Sequence, residues 1–289
     1  MNEENVFIPS NNSINGFSIK SGGEGVGLKK LDDSIGEGNS EDYSDDAVNV
    51  QRVNEEGDTS RVKSGINGFD ELIQGGFIRE SIVLIVGASG TGKTILSMQF
   101  LYNGAALYDE PGVFISFGEN KTQLYRQANQ FGWDFDELEK ANKFRLLNFK
   151  PHQVTKILEE GGGQIRDALS EIKAKRIVID SITAYGLLFR DEYKRREKIL
   201  AFFNLLRRWG VTSLVVCEDD PEVVEKEEGG IGFLSDAVVS LYYDQYKEKG
   251  IRVHSLEVLK MRGTKHTNKV CAINFEKDGI TVYPDVEIF

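Results

Sequence analysis

Residues 82–94 read Ile82-Val83-Leu84-Ile85-Val86-Gly87-Ala88-Ser89-Gly90-Thr91-Gly92-Lys93-Thr94. Five consecutive apolar residues predict a strand buried on both faces. The next eight fit G-x-x-x-x-G-K-[ST], the phosphate-binding loop of nucleoside triphosphatases. A segment of helical character, Thr94 to Leu101, leaves the loop. The glycines let the backbone curl so that several N–H groups face one anion, at the positive end of the helix that follows. Ser89, Gly90, Thr91, Gly92, Lys93 and Thr94 are therefore the candidate phosphate-binding residues. Lys93 would reach the β- and γ-phosphates, and the Thr94 hydroxyl would ligate Mg²⁺. The alternative, a glycine-rich turn that binds nothing, is disfavoured by the strand before it and the helix after it.

Outward from this loop, apolar runs predict further strands at Val113–Phe117, Phe144–Leu147, Ile177–Ile179 and Ser213–Val216. Helical patterns lie between them at 94–107, 121–131, 164–173 and 195–209. Strands alternating with helices imply an α/β fold with a mostly parallel sheet covered on both faces. The last segments, 237–243, 251–260, 270–275 and 280–283, follow one another with short turns, which suggests antiparallel strands added to one sheet edge. Arg176-Ile177-Val178-Ile179-Asp180-Ser181 is an apolar strand ending in a carboxylate, 87 residues after Lys93. That placement suits the aspartate that holds the Mg²⁺ shell beside the phosphate loop.

The chain has 289 residues, 40% of them apolar, enough for a sizeable core. Its two cysteines, Cys217 and Cys271, have no metal-ligand spacing, which points to a reducing compartment without structural zinc. No apolar stretch reaches the roughly 18 residues of a membrane span. The opening Met1-Asn2-Glu3-Glu4 lacks the basic and apolar run of a secretory signal, so a cytoplasmic location is expected. Residues 1–60 carry 13 acidic and 4 basic residues, a balance of −9 out of the chain total of −11. They are rich in Asn, Ser, Gly, Asp and Glu and predict a disordered acidic tail, either a docking arm or a plain spacer. Residues 61–289 predict a single nucleotide-binding domain.

Several of these segments resemble the KaiC-like ATPases of the RecA superfamily. They are the phosphate loop, Gln99-Phe100-Leu101-Tyr102-Asn103-Gly104, Asp109-Glu110-Pro111-Gly112-Val113-Phe114 and Phe131-Gly132-Trp133-Asp134. Near the end, Lys260-Met261-Arg262-Gly263-Thr264-Lys265-His266 is similar to that family's K-x-R-G-[TS]-x-H signature. The resemblance implies a RecA-like fold, ATP and Mg²⁺ as ligands, and a homo-oligomeric, usually hexameric, ring with ATP between subunits. It also implies that Lys260 and Arg262 approach the γ-phosphate from the neighbouring subunit, with Met261, Thr264 and His266 also at the nucleotide. Without the rest of that signature, Lys260 and Arg262 would read as a solvated basic strand face.

Two departures from the family stand out. Relatives often end the strand after the first helix with two glutamates, the first of which polarises the attacking water. Here Phe117-Gly118-Glu119-Asn120 leaves only Glu119 as the candidate catalytic base, or hydrolysis is very slow. That opens a second reading, an ATP-driven assembly switch with little turnover, similar to the archaeal motility-accessory ATPase FlaH. Gly232 and Phe233 stand where the clock protein's C-terminal domain phosphorylates a Ser-Thr pair, so self-phosphorylation there is not expected. A recombinase-type DNA-binding role is disfavoured by segment 218–228, with seven carboxylates and one lysine. Such a loop repels phosphate. The tail or this acidic loop would instead suit a basic regulatory partner.

Overall fold

The computed structural model describes residues 61–159, 161–221, 224, 230–246 and 250–287. The acidic tail assigned to residues 1–60, and much of loop 218–228, lie outside them. The phosphate-loop strand, β3 (Ile82–Val86), runs through the middle of a nine-stranded sheet. The strand alternates its side chains between two cores. Val83 and Ile85 enter the core under the first helix, while Ile82, Leu84 and Val86 enter the one on the opposite face.

A small antiparallel pair, β1 (Arg61–Val62) and β2 (Phe77–Ile78), precedes β3. After it come α1 (Lys93–Leu107), β4 (Gly112–Ser116), α2 (Lys121–Asn129), α3 (Phe135–Lys140) and β5 (Phe144–Asn148). Next are α4 (Pro151–Glu159), α5 (Gly163–Glu171), β6 (Arg176–Asp180), α6 (Ile182–Gly186), α7 (Glu192–Trp209) and β7 (Thr212–Cys217). The chain then forms α8 (Ile231–Leu234), β8 (Ala237–Tyr246), β9 (Ile251–Met261), β10 (Cys271–Glu276) and β11 (Gly279–Glu287). The sheet order is β11-β10-β9-β8-β3-β7-β6-β4-β5. Strands β5, β4, β6, β7, β3 and β8 are parallel, and β9, β10 and β11 add on as antiparallel strands.

The α/β fold with a mostly parallel sheet and antiparallel C-terminal strands is the one the sequence implied. Several details differ. Strand β8 is parallel to β3 and only its other edge meets an antiparallel neighbour. Helix α7 starts at Glu192, capped by the Asp191 side chain, which accepts from the Lys194 N–H at 2.8 Å. Helix α3, six residues capped by Asp134, spans under two turns and is too short to register as periodicity.

The run Gln99–Gly104 on α1 has a packing explanation. The Gln99 amide clamps β11, donating to the Ile280 carbonyl at 3.0 Å and accepting from the Ile280 N–H at 2.7 Å. Asn103 donates to the Gly65 carbonyl at 2.6 Å. Gly104 lies against Arg176, whose side chain is 0% exposed. The guanidinium donates to Glu110 Oε2 through Nε and Nη2 at 2.8 and 2.6 Å and to the Phe100 carbonyl at 2.8 Å. A buried cation needs such full satisfaction. The network ties α1 to the entry of β6, the strand that carries Asp180 at its other end.

Candidate nucleotide site

Parallel strands deliver their C-terminal ends to one edge of the sheet, and open α/β sheets place their ligand sites there. Strand β3 hands over to Gly87, β6 ends at Asp180 and β7 ends at Cys217, followed by Glu218. The loop adopts backbone that only glycine takes readily: Gly90 and Gly92 have φ of 84° and 99°. Gly92 also caps α1. A Cβ there would lie 2.6 Å from Phe275 Cζ, so the loop is seated directly on β10.

Lys93 is 6% exposed, and its Nζ donates to the Ala88 carbonyl across the loop at 2.8 Å. Burial lowers its pKa, an effect opposed by the nearby charges of Glu218 and Asp180. The Thr94 hydroxyl donates to Asp180 Oδ2 at 2.8 Å. Burial pushes the Asp180 carboxyl up to about 6. The Thr94 hydrogen bond opposes that shift, and the charges of Glu218 and Glu119 add to it. A hydroxyl and a buried carboxylate, flanked by two further carboxylates, are hard oxygen donors of the kind Mg²⁺ takes alongside phosphate oxygens. Thr94 and Asp180 thus fit the metal role expected of them.

Glu119 is half-buried, and its charge reaches Asp180. Its Oε2 accepts from Gln127 Nε2 at 2.7 Å, and its carbonyl accepts from Ser116 Oγ at 2.7 Å and Asn148 Nδ2 at 2.5 Å. Gly118 is exposed, and a Cβ there would meet open space. Glu218 belongs to this cluster, although in the sequence it stands out only as part of an acidic loop. Its backbone N–H donates to Thr183 Oγ1 at 2.8 Å. The available signal was its position: it follows the apolar run 212–217, level with the loop strand in the parallel sheet.

The signature residues near the C-terminus lie elsewhere. Met261 pairs with Ala237, and Ala237 pairs with Val83 near the entry of β3. The phosphate loop leaves the other end of that strand, about 10–13 Å away at the rise of an extended chain. Lys260 Nζ donates to the Gly232 and Ser235 carbonyls at 2.9 and 2.7 Å. Arg262 Nη2 donates to the Phe233 carbonyl at 2.9 Å, and Nη1 lies 3.6 Å from Asp236. Thr264 Oγ1 accepts from Arg61 at 3.2 Å, and the His266 ring contacts the Thr267 carbonyl at 2.7 Å. Lys260 and Arg262 converge on one feature, the α8 turn. They do so at the opposite edge of the sheet from their own phosphate loop.

A parallel sheet with a glycine-rich phosphate loop, its lysine and threonine, and an aspartate hydrogen-bonded to that threonine defines a P-loop ATPase of RecA-like architecture. A family model described as "ATPase: KaiC" matches residues 62–287. The chain belongs to the KaiC ATPase family. It is 36% identical over 230 residues to the circadian clock oscillator protein KaiC of Prochlorococcus marinus (strain SARG), covering 77% of this chain and 46% of that relative. It therefore spans about half the length of the clock proteins it matches. A UPF0273 protein of Thermotoga maritima is 35% identical over 239 residues, covering 78% of this chain and 96% of its own. The crystal structure of a KaiC-like protein from Pyrococcus horikoshii OT3 superposes with a TM-score of 0.68 at 37% identity, covering 78% of this chain and 99% of that one. Among the described residues, no helix is long and apolar enough to cross a membrane.

Proposed function

We propose that this chain is a Mg²⁺-dependent ATPase that assembles into a homo-oligomeric ring, hexameric as the family resemblance implies, and acts as a regulatory or signalling ATPase. The observation that carries this reading is the separation of the two halves of the site. The phosphate loop sits at one edge of the sheet and the Lys260–Arg262 pair at the other, so one copy cannot close both around a single triphosphate. A neighbouring copy can. In that arrangement the loop N–H groups and Lys93 bind the β- and γ-phosphates. Thr94 and Asp180 hold Mg²⁺, which when bound offsets phosphate charge. Lys260 and Arg262 of the adjacent copy stabilise charge developing on the transferred phosphoryl group, and Met261, Thr264 and His266 follow them to the nucleotide.

In this reading Glu119, the one carboxylate of its segment, orients the attacking water, with Gly118 in the place of the first glutamate. Hydrolysis is accordingly slow. That same glycine supports the second reading, an ATP-driven assembly switch that consumes little nucleotide.

Complementation tests the shared site. Lys93→Ala and Arg262→Ala should each abolish phosphate release, and mixing them should restore part of it, because some interfaces then join an intact loop to an intact arginine. Sizing with and without Mg·ATP should show assembly. A monomer at all nucleotide concentrations with wild-type phosphate release would overturn the ring. Assembly without measurable release would favour the switch.

A further inference from the structure

With Gly118 in the place of the first glutamate, the segment after β4 offers one carboxylate to the site. Strand β7 offers another. It lies between β3 and β6 in the sheet. The carbonyl of its last residue, Cys217, accepts from the N–H of Gly87, the first residue of the phosphate loop, at 3.3 Å. The next residue, Glu218, is tied by its own N–H to Thr183 on α6, the helix that follows Asp180. Glu218 therefore stands between the phosphate loop and Asp180.

Alternation along the strands sets the face. Leu214 enters the core under α1 and Cys217 the opposite one, so Glu218, four residues beyond Leu214, returns to the α1 side. Asp180 lies on that side too, two residues beyond Val178. Lys93 and Thr94 open α1 there. The charge of Glu218 acts on Lys93 more strongly than that of Asp180 does, and on Asp180 more strongly than that of Glu119 does. The two glutamates differ in what holds them. Glu119 Oε2 accepts from Gln127 at 2.7 Å. Glu218 is exposed, and among the described residues no hydrogen bond or ion pair reaches its carboxylate. A general base needs a lone pair free for its water. We infer that Glu218 is the general base of hydrolysis, filling the part that Gly118 leaves open, while Glu119 orients the same water. The water oxygen bonds to the γ-phosphorus and gives its proton to the Glu218 carboxylate. The bond to the β–γ bridging oxygen breaks, its electron pair leaves with ADP, and the proton on Glu218 passes to solvent. The inference rests on the ATPase reading and adds to it a residue outside the loop, the metal pair and the C-terminal signature.

Single-turnover phosphate release, with the full chain in excess over Mg·ATP, tests it beside a Mg·ATP binding measurement. Glu218→Gln keeps the shape of an exposed side chain and removes the base. It should slow release about 10²-fold or more and leave Mg·ATP affinity unchanged. Glu119→Gln should slow release less. Wild-type release by Glu218→Gln, or a larger loss in Glu119→Gln, would overturn the assignment with the ATPase reading intact. A loss of Mg·ATP affinity as large as the loss of rate would make Glu218 part of the binding charge and overturn it as well. A wild type that binds Mg·ATP and releases no phosphate overturns the ATPase reading and the base with it.

Discussion

Asp180→Asn separates what the buried carboxylate costs from what it is for. Burial raises this group from 3.8 to about 6. That is about 2 units, and at roughly 1.4 kcal/mol per unit it corresponds to about 3 kcal/mol. The sign follows from proton counting. The folded state holds the proton more tightly than the unfolded chain, so stability is greatest below the unfolded value and falls as pH rises through about 6. Asparagine keeps an oxygen to accept from Thr94 and discards the charge. At pH 7.5, without Mg²⁺ or nucleotide, Asp180→Asn should be more stable than wild type by up to about 3 kcal/mol. For a domain of this size that is a Tm increase of about 6–12 °C at most. Near pH 4 the wild-type carboxyl is protonated as well, and the two should melt together. Mg·ATP should reverse the order at pH 7.5, because ligand binding stabilises only the protein that binds it. Calorimetric melts at both pH values, with and without Mg·ATP, read all of this. An Asp180→Asn protein that melts below wild type at pH 7.5 without metal, or a gap that persists unchanged at pH 4, would refute the reasoning.

Gly118→Glu places a carboxylate in open space beside Asp180; it should raise phosphate release at saturating Mg·ATP by about 10²-fold, the lower end of general-base contributions, and an unchanged rate would show that this position does not limit turnover. Gly104→Ala would put a Cβ 2.5–2.7 Å from the Arg176 side chain, so urea melts should show a loss of about 1–3 kcal/mol from overpacking. Glu110→Ala leaves the Arg176 guanidinium buried without its carboxylate and should cost about 3–5 kcal/mol, which an equilibrium denaturation curve measures; a loss under 1 kcal/mol would contradict the burial described.

The half of the site at the C-terminal edge of the sheet was legible because each residue follows an apolar run that can only be a buried strand. Gly87 to Thr94 follows β3, and Asp180 ends β6. Glu218 obeys the same rule, yet its membership of an acidic stretch masked it. The direction of β8 was not legible, since a turn-rich approach fits either orientation and the outcome depends on a crossover that composition does not encode. The pairing of β9 with β10 was equally hidden. Which residues of β9 and β10 pair is not written in their apolar pattern, because each strand also pairs along its other edge, with β8 and with β11. The position of Lys260 and Arg262 was half legible. Their spacing puts them together, but the strand order decides that they lie at the entry of β3.

That displacement of cations from loop has a kinetic meaning. If each copy supplies a socket on one side and a plug on the other, an isolated molecule at high dilution holds two unfinished centres and no finished one. Specific activity should then climb with protein concentration and level off when assembly is complete, so the abundance of the chain would itself set its output, with no further effector needed.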